Sequence, residues 1–229
     1  MVQLIPDGRI TYIQNKKNEG ACVSRNKGIK RSRGEYILYF DDDDELLPNK
    51  IKYSLKKFHS REIGLVYSQH YTVLNNKRPK HVKNKMFSGY VFKQLIKNNF
   101  VAAFPLIRRE CFDNCGFFDP KMKSKQDYEL WLRIAQKYQF EYVKKPLSKV
   151  YFHKGERISS NAKKKIQGSE EIYTRYQPYL NENRNAKNER LMDLAVSHSL
   201  NKDKKEAKSY LIKAFKTAPY RLFSNIKYT

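Results

Sequence analysis

The spacing of apolar and polar side chains changes period along the chain, and each change marks an element. Residues 9–14 alternate and are rich in β-branched and aromatic types, which predicts a short strand. Residues 22–30 place Val23, Asn26 and Ile29 at helical spacing, predicting a short helix that ends near Gly34. Residues 36–40 form a continuous apolar run, the pattern of a strand buried on both faces, and five acidic residues end it abruptly. Pro48 suits a helix start, and Ile51, Leu55 and Phe58 form an apolar stripe down that helix.

Residues 64–68 and 71–74 read as two further strands, 75–85 as a basic loop, 89–97 as a helix and 102–108 as a strand. A helical turn over 109–115 leads into the turn signal Gly116-Phe117-Phe118-Asp119-Pro120. The strongest helix covers 127–139, with Leu130, Trp131, Ile134 and Tyr138 on one face; 141–143 and 149–152 read as strands. From Asn161 the pattern is wholly helical, and 207–218 has the spacing of a hairpin's second helix. Strands alternating with helices predict an α/β fold with a mostly parallel sheet over residues 1–160, followed by a helical C-terminal extension over 161–229.

Charge changes this picture little. The 229 residues include 47 basic and 23 acidic side chains, a net charge of +24. The last 69 residues hold 15 basic and 7 acidic groups, and the rest carry the surplus at nearly the same density, so no nucleic-acid tail stands out. No RNA- or DNA-binding motif is recognisable, and nucleic acid is not the expected partner. Mean hydropathy is −0.82, and no run approaches the ~20 apolar residues of a membrane span. The first residues lack the basic and apolar regions of a secretory signal. Three cysteines without a Cys-x-x-Cys pair disfavour a zinc site or disulfide framework, and point to a reducing cytoplasm.

The acidic run is where composition becomes chemistry. Asp41, Asp42, Asp43, Asp44 and Glu45 are consecutive in an otherwise basic chain, and like charges packed this tightly need a counter-charge. An acidic surface loop is one reading. Position at the carboxyl end of a strand, where open α/β sheets hold ligands, favours another. Carboxylate oxygens there suit Mg²⁺ or Mn²⁺ shared with substrate phosphates.

Several blocks together resemble glycosyltransferase family 2 over roughly residues 8 to 160. They are Asn18-Glu19-Gly20, Ser24-Arg25-Asn26-Lys27-Gly28, Gly34-Glu35-Tyr36-Ile37, and Phe40 through Asp44 followed by Pro48. Gly116-Phe117-Phe118-Asp119, Gln126 through Arg133, and His153 with Ser159 complete the set in the family's order. The resemblance implies a GT-A fold and a nucleotide-diphosphate sugar donor, with inverting transfer to an acceptor hydroxyl in polysaccharide or glycoconjugate assembly. Pro48 sets the register, which implies that Asp41 faces the donor ribose and Asp43 binds Mn²⁺ or Mg²⁺; four successive aspartates also allow a slip of one residue. By the same resemblance Asp127 is the catalytic base, for which helix capping is the competing reading. The resemblance also implies that Arg25 and Asn26 face the donor nucleotide, that Trp131 and Arg133 line the acceptor pocket and that His153 contacts metal or phosphate. A surface salt bridge for Arg25, a plain core position for Trp131 and a structural role for His153 are the competing readings.

Against the family pattern, residue 1 falls just before the third strand, so about two strand–helix units, on the order of 60 residues at ~30 per unit, are expected to be missing. The competing function is therefore a truncated, inactive remnant serving as a binding module. The expected partners are the donor, a glycan or lipid-linked acceptor and, through lysines and aromatics from about residue 161, an anionic membrane at the inner face of the cell membrane. A helical hairpin that only packs on the catalytic domain and displays solvated lysines is the competing reading.

Overall fold

The computed structural model describes residues 7–75, 77–101, 104–152 and 161–219. Helix α1 (Ala21–Arg31) leads into β1 (Tyr36–Ile37) and β2 (Glu45–Leu46), then α2 (Lys50–Leu55) and the long β3 (Ile63–Leu74). After β4 (Lys80–Val82) come α3 (Phe92–Leu95), β5 (Leu106–Arg108), α4 (Glu110–Cys115), α5 (Gln126–Ala135) and β6 (Gln139–Phe152). The described chain closes with α6 (Ala162–Arg175), α7 (Gln177–Glu182), α8 (Arg184–Leu200) and α9 (Lys204–Thr217). Residues 9–14 form no strand; Ile10, Tyr12 and Ile13 are exposed there.

The sheet runs β1-β5-β3-β6-β2, with β4 also on β3. Only β3 and β6 pair parallel; the other four pairings are antiparallel. The expectation of a mostly parallel sheet is thus corrected to a mixed, mostly antiparallel one. A helix enforces parallel pairing only when it carries the chain back across the sheet. Helices α3 and α4, of four and six residues, are too short for that, so alternation of elements alone does not set strand direction. The strand expected at 36–40 shrinks to two paired residues at the sheet's edge.

The sequence pattern splits both β3 and β6, and the structure shows why. Their pairing shifts register between Ser68 and Gln69, where Gln69 faces Pro146. Proline has no N–H to give the ladder, so the apolar alternation breaks there while the strand continues. The first six residues of β3 are buried, as befits a strand with neighbours on both sides and helices over it.

Helix α5 fills the main core. Leu130, Trp131, Leu132 and Ile134 are buried, and the same cluster takes in Ile172, Tyr176, Leu180 and Ala186 from the C-terminal helices. The helical extension therefore shares one core with the sheet. Glu129 on α5 is 1% exposed and accepts from Arg133 Nε at 2.9 Å and Arg175 Nη1 at 2.9 Å. Arg175 also pairs with Asp119 and Glu171.

Helix α6 meets the loop ahead of α5 at close range. Ser124 Oγ donates to the Lys164 carbonyl at 2.8 Å, and a Cβ added at Gly168 would lie 2.7 Å from the Ser124 carbonyl oxygen. Backbone atoms at that distance have little room to yield. Gly168→Ala is expected to destabilise the protein by ~1–3 kcal/mol. Urea denaturation checks this; an unchanged midpoint would show that the α6 contact adapts freely.

Candidate functional site

The acidic run and the start of α5 face one cavity of about 640 Å³. Arg25, reaching from α1, joins them. Its Nη2 lies 2.9 Å from Asp41 Oδ1 and its Nη1 3.2 Å from Asp127 Oδ1. The guanidinium also rests over the rings of Tyr39, at 4.9 Å, and Phe118, at 5.5 Å. Burial works against its charge, but Asp127 and Asp41 outweigh that and hold its pKa above the ordinary value. Two carboxylates from segments 86 positions apart are thereby clasped by one planar cation, an arrangement suited to arginine's fork.

Asp127 occupies the second position of α5; the N-cap residue is Lys125, in left-handed backbone and without a side-chain cap. Asp127 is therefore not at the cap position. Its side chain is 44% exposed, toward the cavity. The surrounding protein pushes its carboxyl pKa up; Arg25 and the Tyr39 hydroxyl draw it partly back, and Asp41 adds to the rise. A carboxylate of increased proton affinity on a cavity wall is equipped to take a proton from a bound hydroxyl.

The five acids fan out. Asp41 turns to Arg25, while Asp44 Oδ1 accepts from the Tyr151 N–H at 2.8 Å. Glu45 binds Lys149 Nζ at 3.0 Å and the Tyr151 hydroxyl at 2.9 Å. Asp43 lines the cavity with Asp41 and Asp44. No cluster of three or more metal-ligating side chains is assembled among the described residues. Mg²⁺ or Mn²⁺ needs only one or two protein carboxylates, since phosphate oxygens and water complete its shell, and Asp43 on the cavity wall is a carboxylate that could serve such an ion.

Three residues expected to bind substrate are placed elsewhere. Asn26 spends its amide on the backbone of Phe118, donating to its carbonyl at 2.7 Å and accepting from its N–H at 3.0 Å. Trp131 is 1% exposed and stacks at 6.1 Å beneath Tyr39, so it braces the site from the core. Arg133 donates to the carbonyls of Cys115 and Phe117 and to Glu129, which fixes the 116–119 turn. His153 lies outside the described residues. The sequence reading missed Tyr39, Lys125, Arg190 and Asp193 on the cavity wall. Tyr39 sits two positions before Asp41, a signal of shared face; Arg190 and Asp193 carry none.

Solved structures share this fold. The chain is similar to S. aureus TarS 1-349 in complex with UDP-GlcNAc, with a TM-score of 0.56 at 14% identity over 93% of this chain and 74% of that one. It is similar also to the mannosyltransferase PcManGT from Pyrobaculum calidifontis, in complex with GDP-Man and Mn²⁺, with a TM-score of 0.53 at 15% identity over 93% and 65%. The architecture is thus α/β and GT-A-like, with C-terminal helices. Glycosyl transferase family 2 is matched by residues 2–121, and the chain belongs to that family. The match begins at residue 2, and the expected N-terminal shortfall gains no support from it.

Among individual proteins, one relative is WcaA of Escherichia coli (strain K12), named as a colanic acid biosynthesis glycosyl transferase. It is 30% identical over 76% of this chain and 64% of its own length. The uncharacterized glycosyltransferase MJ1057 of Methanocaldococcus jannaschii is 30% identical over 69% of this chain and 56% of its own. The chain spans less than two thirds of either relative.

The clasp makes a prediction independent of turnover. In a carbon-detected NMR titration Asp127 should titrate above the ordinary carboxylate value of 3.8. Arg25→Gln removes the charge that draws it back, so the midpoint should move further up. A midpoint that falls or stays fixed would show that Arg25 does not act on Asp127.

Proposed function

We propose that this chain carries out inverting transfer of a sugar from a nucleotide-diphosphate donor to an acceptor hydroxyl, in polysaccharide or glycoconjugate assembly. The observation that carries the reading is the bridge from Arg25 to both Asp41 and Asp127 within one acid-lined cavity. In this reading Asp127 accepts the acceptor's proton as its oxygen attacks the anomeric carbon. Arg25 holds Asp127 in place, and Asp41 faces the donor's ribose. Asp43, which lines the same cavity, is the carboxylate that holds Mn²⁺ or Mg²⁺. Such an ion supplies charge to stabilise the departing diphosphate. The neighbours with UDP-GlcNAc and with GDP-Man and Mn²⁺ support a donor of this class, and the name of WcaA supports polysaccharide biosynthesis.

No helix among the described residues is long and apolar enough to cross a membrane. The α8–α9 hairpin nevertheless exposes Val196, Leu200, Leu211, Ile212 and Phe215. On α9 they alternate with Lys208, Lys213 and Lys216. Apolar side chains ringed by lysines suit an anionic bilayer surface, where each basic group contributes about 1 kcal/mol. A peripheral membrane position beside a lipid-linked acceptor follows.

Calorimetric titration of UDP and GDP with Mn²⁺ tests the first part. Asp43→Asn should abolish metal-dependent nucleotide binding, whereas Asp127→Asn should bind normally and lower transfer by ~10²–10⁴-fold. Parent-like binding by Asp43→Asn, or parent-like turnover by Asp127→Asn, would remove the assigned roles. For the membrane contact, co-sedimentation with vesicles containing phosphatidylserine should be lost in the triple variant Leu211→Ser, Ile212→Ser, Phe215→Ser. Equal sedimentation of parent and variant would remove that surface from the account.

A further inference from the structure

Tyr39 lines the cavity, and three neighbours fix its ring. It stacks on Trp131 at 6.1 Å and 21°, meets Phe118 edge-on at 5.2 Å and lies 4.9 Å beneath the Arg25 guanidinium. Trp131 follows Asp127 by four positions on α5, so both stand on one face of that helix. A phenylalanine would fill the same stack. The hydroxyl is the additional group, and it makes a hydrogen bond with the Asp127 carboxyl.

That hydroxyl keeps its proton. Burial and the charge of Asp127 push its pKa well above the ordinary tyrosine value, and Arg25 offsets them only in part. It is therefore the donor of the bond and favours the ionised form of Asp127. The other partner of Asp127 is shared: Arg25 reaches Asp127 Oδ1 at 3.2 Å and Asp41 Oδ1 at 2.9 Å with the same guanidinium. In the transfer reading Asp41 also serves the donor, so the hold of Arg25 on Asp127 depends on what Asp41 binds. A donor mounted on a stacked ring has no such second duty.

We infer that Tyr39 is a positioning residue for Asp127, its hydroxyl holding the carboxyl in the orientation that presents an oxygen to the acceptor's hydroxyl. The inference rests on reading Asp127 as the base of a glycosyl transfer. In that step the proton passes from the acceptor oxygen to Asp127, and Tyr39 neither gains nor loses one. Fixing the carboxyl beforehand removes rotational freedom that would otherwise be lost during the reaction. The groups facing Asp127 are Arg25 and the buried Cys22 thiol on α1, with Tyr39 and Asp41 from the segment after β1. Burial pushes the Cys22 thiol up to about 11, so it stays neutral and orients nothing by charge.

Nuclear magnetic resonance tests this without an identified acceptor. Three-bond couplings from the Asp127 carboxyl carbon to its backbone nitrogen and carbonyl carbon report the χ1 angle, and a pH titration of the same carbon gives its midpoint. The parent should show one dominant rotamer. Tyr39→Phe keeps the ring stack, so its melting temperature and its calorimetric binding of UDP or GDP with Mn²⁺ should match the parent. Its Asp127 couplings should average over several rotamers. Its midpoint should move up, because the lost bond favoured the ionised form.

Nucleotide binding with an unchanged Asp127 rotamer in Tyr39→Phe overturns the positioning role and leaves the proposed transfer standing. A midpoint that rises without rotamer averaging also overturns it, since the hydroxyl would then tune the charge without orienting the group. So does a parent carboxyl that already averages. A lower melting temperature together with weaker nucleotide binding would make the hydroxyl a structural group of the whole site and overturn the inference. If the parent binds neither UDP nor GDP, the transfer reading itself fails and the role of Tyr39 with it.

Discussion

Glu129, a carboxylate almost sealed from water, ties the architecture together. It sits on α5 and is met by Arg133 from its own helix and Arg175 from α6. A carboxylate this deeply buried keeps its charge only when it is paired and hydrogen-bonded, and two arginines supply that here. The consequences spread outward. Arg133 also grips the carbonyls of Cys115 and Phe117, and Arg175 grips Asp119. The turn so fixed presents Phe118 to Asn26 and to the guanidinium of Arg25. Arg25 in turn orients Asp41 and Asp127. One buried charge is therefore linked to the cavity through ion pairs, hydrogen bonds and one guanidinium–ring contact, and the helix that carries Glu129 also carries Asp127.

The acidic run illustrates how a repulsive sequence becomes a stable loop. Five adjacent carboxylates facing one way would oppose folding at neutral pH. Here the backbone turns, and neighbouring residues are answered by different parts of the molecule: α1 for Asp41, the β6 backbone for Asp44, and Lys149 with Tyr151 for Glu45. The loop is thereby anchored on both sides of Asp43, which stays on the cavity wall.

Much of this was legible in the sequence. The helix at α5 and the acidic loop after an apolar run lie in blocks with strong local patterns; Arg25, Asp41 and Asp127 stand out one by one there, but nothing in the sequence pairs them. What could not be read was how each side chain would satisfy itself. Asn26 and Arg133 stand beside site residues in sequence, yet their donors are consumed by backbone carbonyls of the 116–119 turn. Trp131 has the chemistry of a sugar platform and the position of a core residue, and burial decides for the core. Strand direction was misjudged because alternation of elements says nothing about whether a helix is long enough to reverse the chain. Arg190 and Asp193 reach the cavity from α8, some sixty positions beyond Asp127, without any local motif to announce them.

The order in which the sheet is wired has a consequence for how the chain acquires its form during synthesis. Arg25 and Asp41 are 16 positions apart and leave the ribosome almost together. The parallel pairing at the sheet's centre joins β3 to β6, with Ile63 beside Gln139 across 76 positions, and the acidic loop meets β6 through Glu45 and Lys149 across 104. Closing loops of that length has an entropic cost that must be met before any burial is gained. The α8–α9 hairpin, by contrast, turns within a few residues, so its own contacts are local in sequence. The cavity wall is thus drawn from segments that emerge far apart, Arg25 and Asp41 early, Asp127 and β6 later and α8 later still.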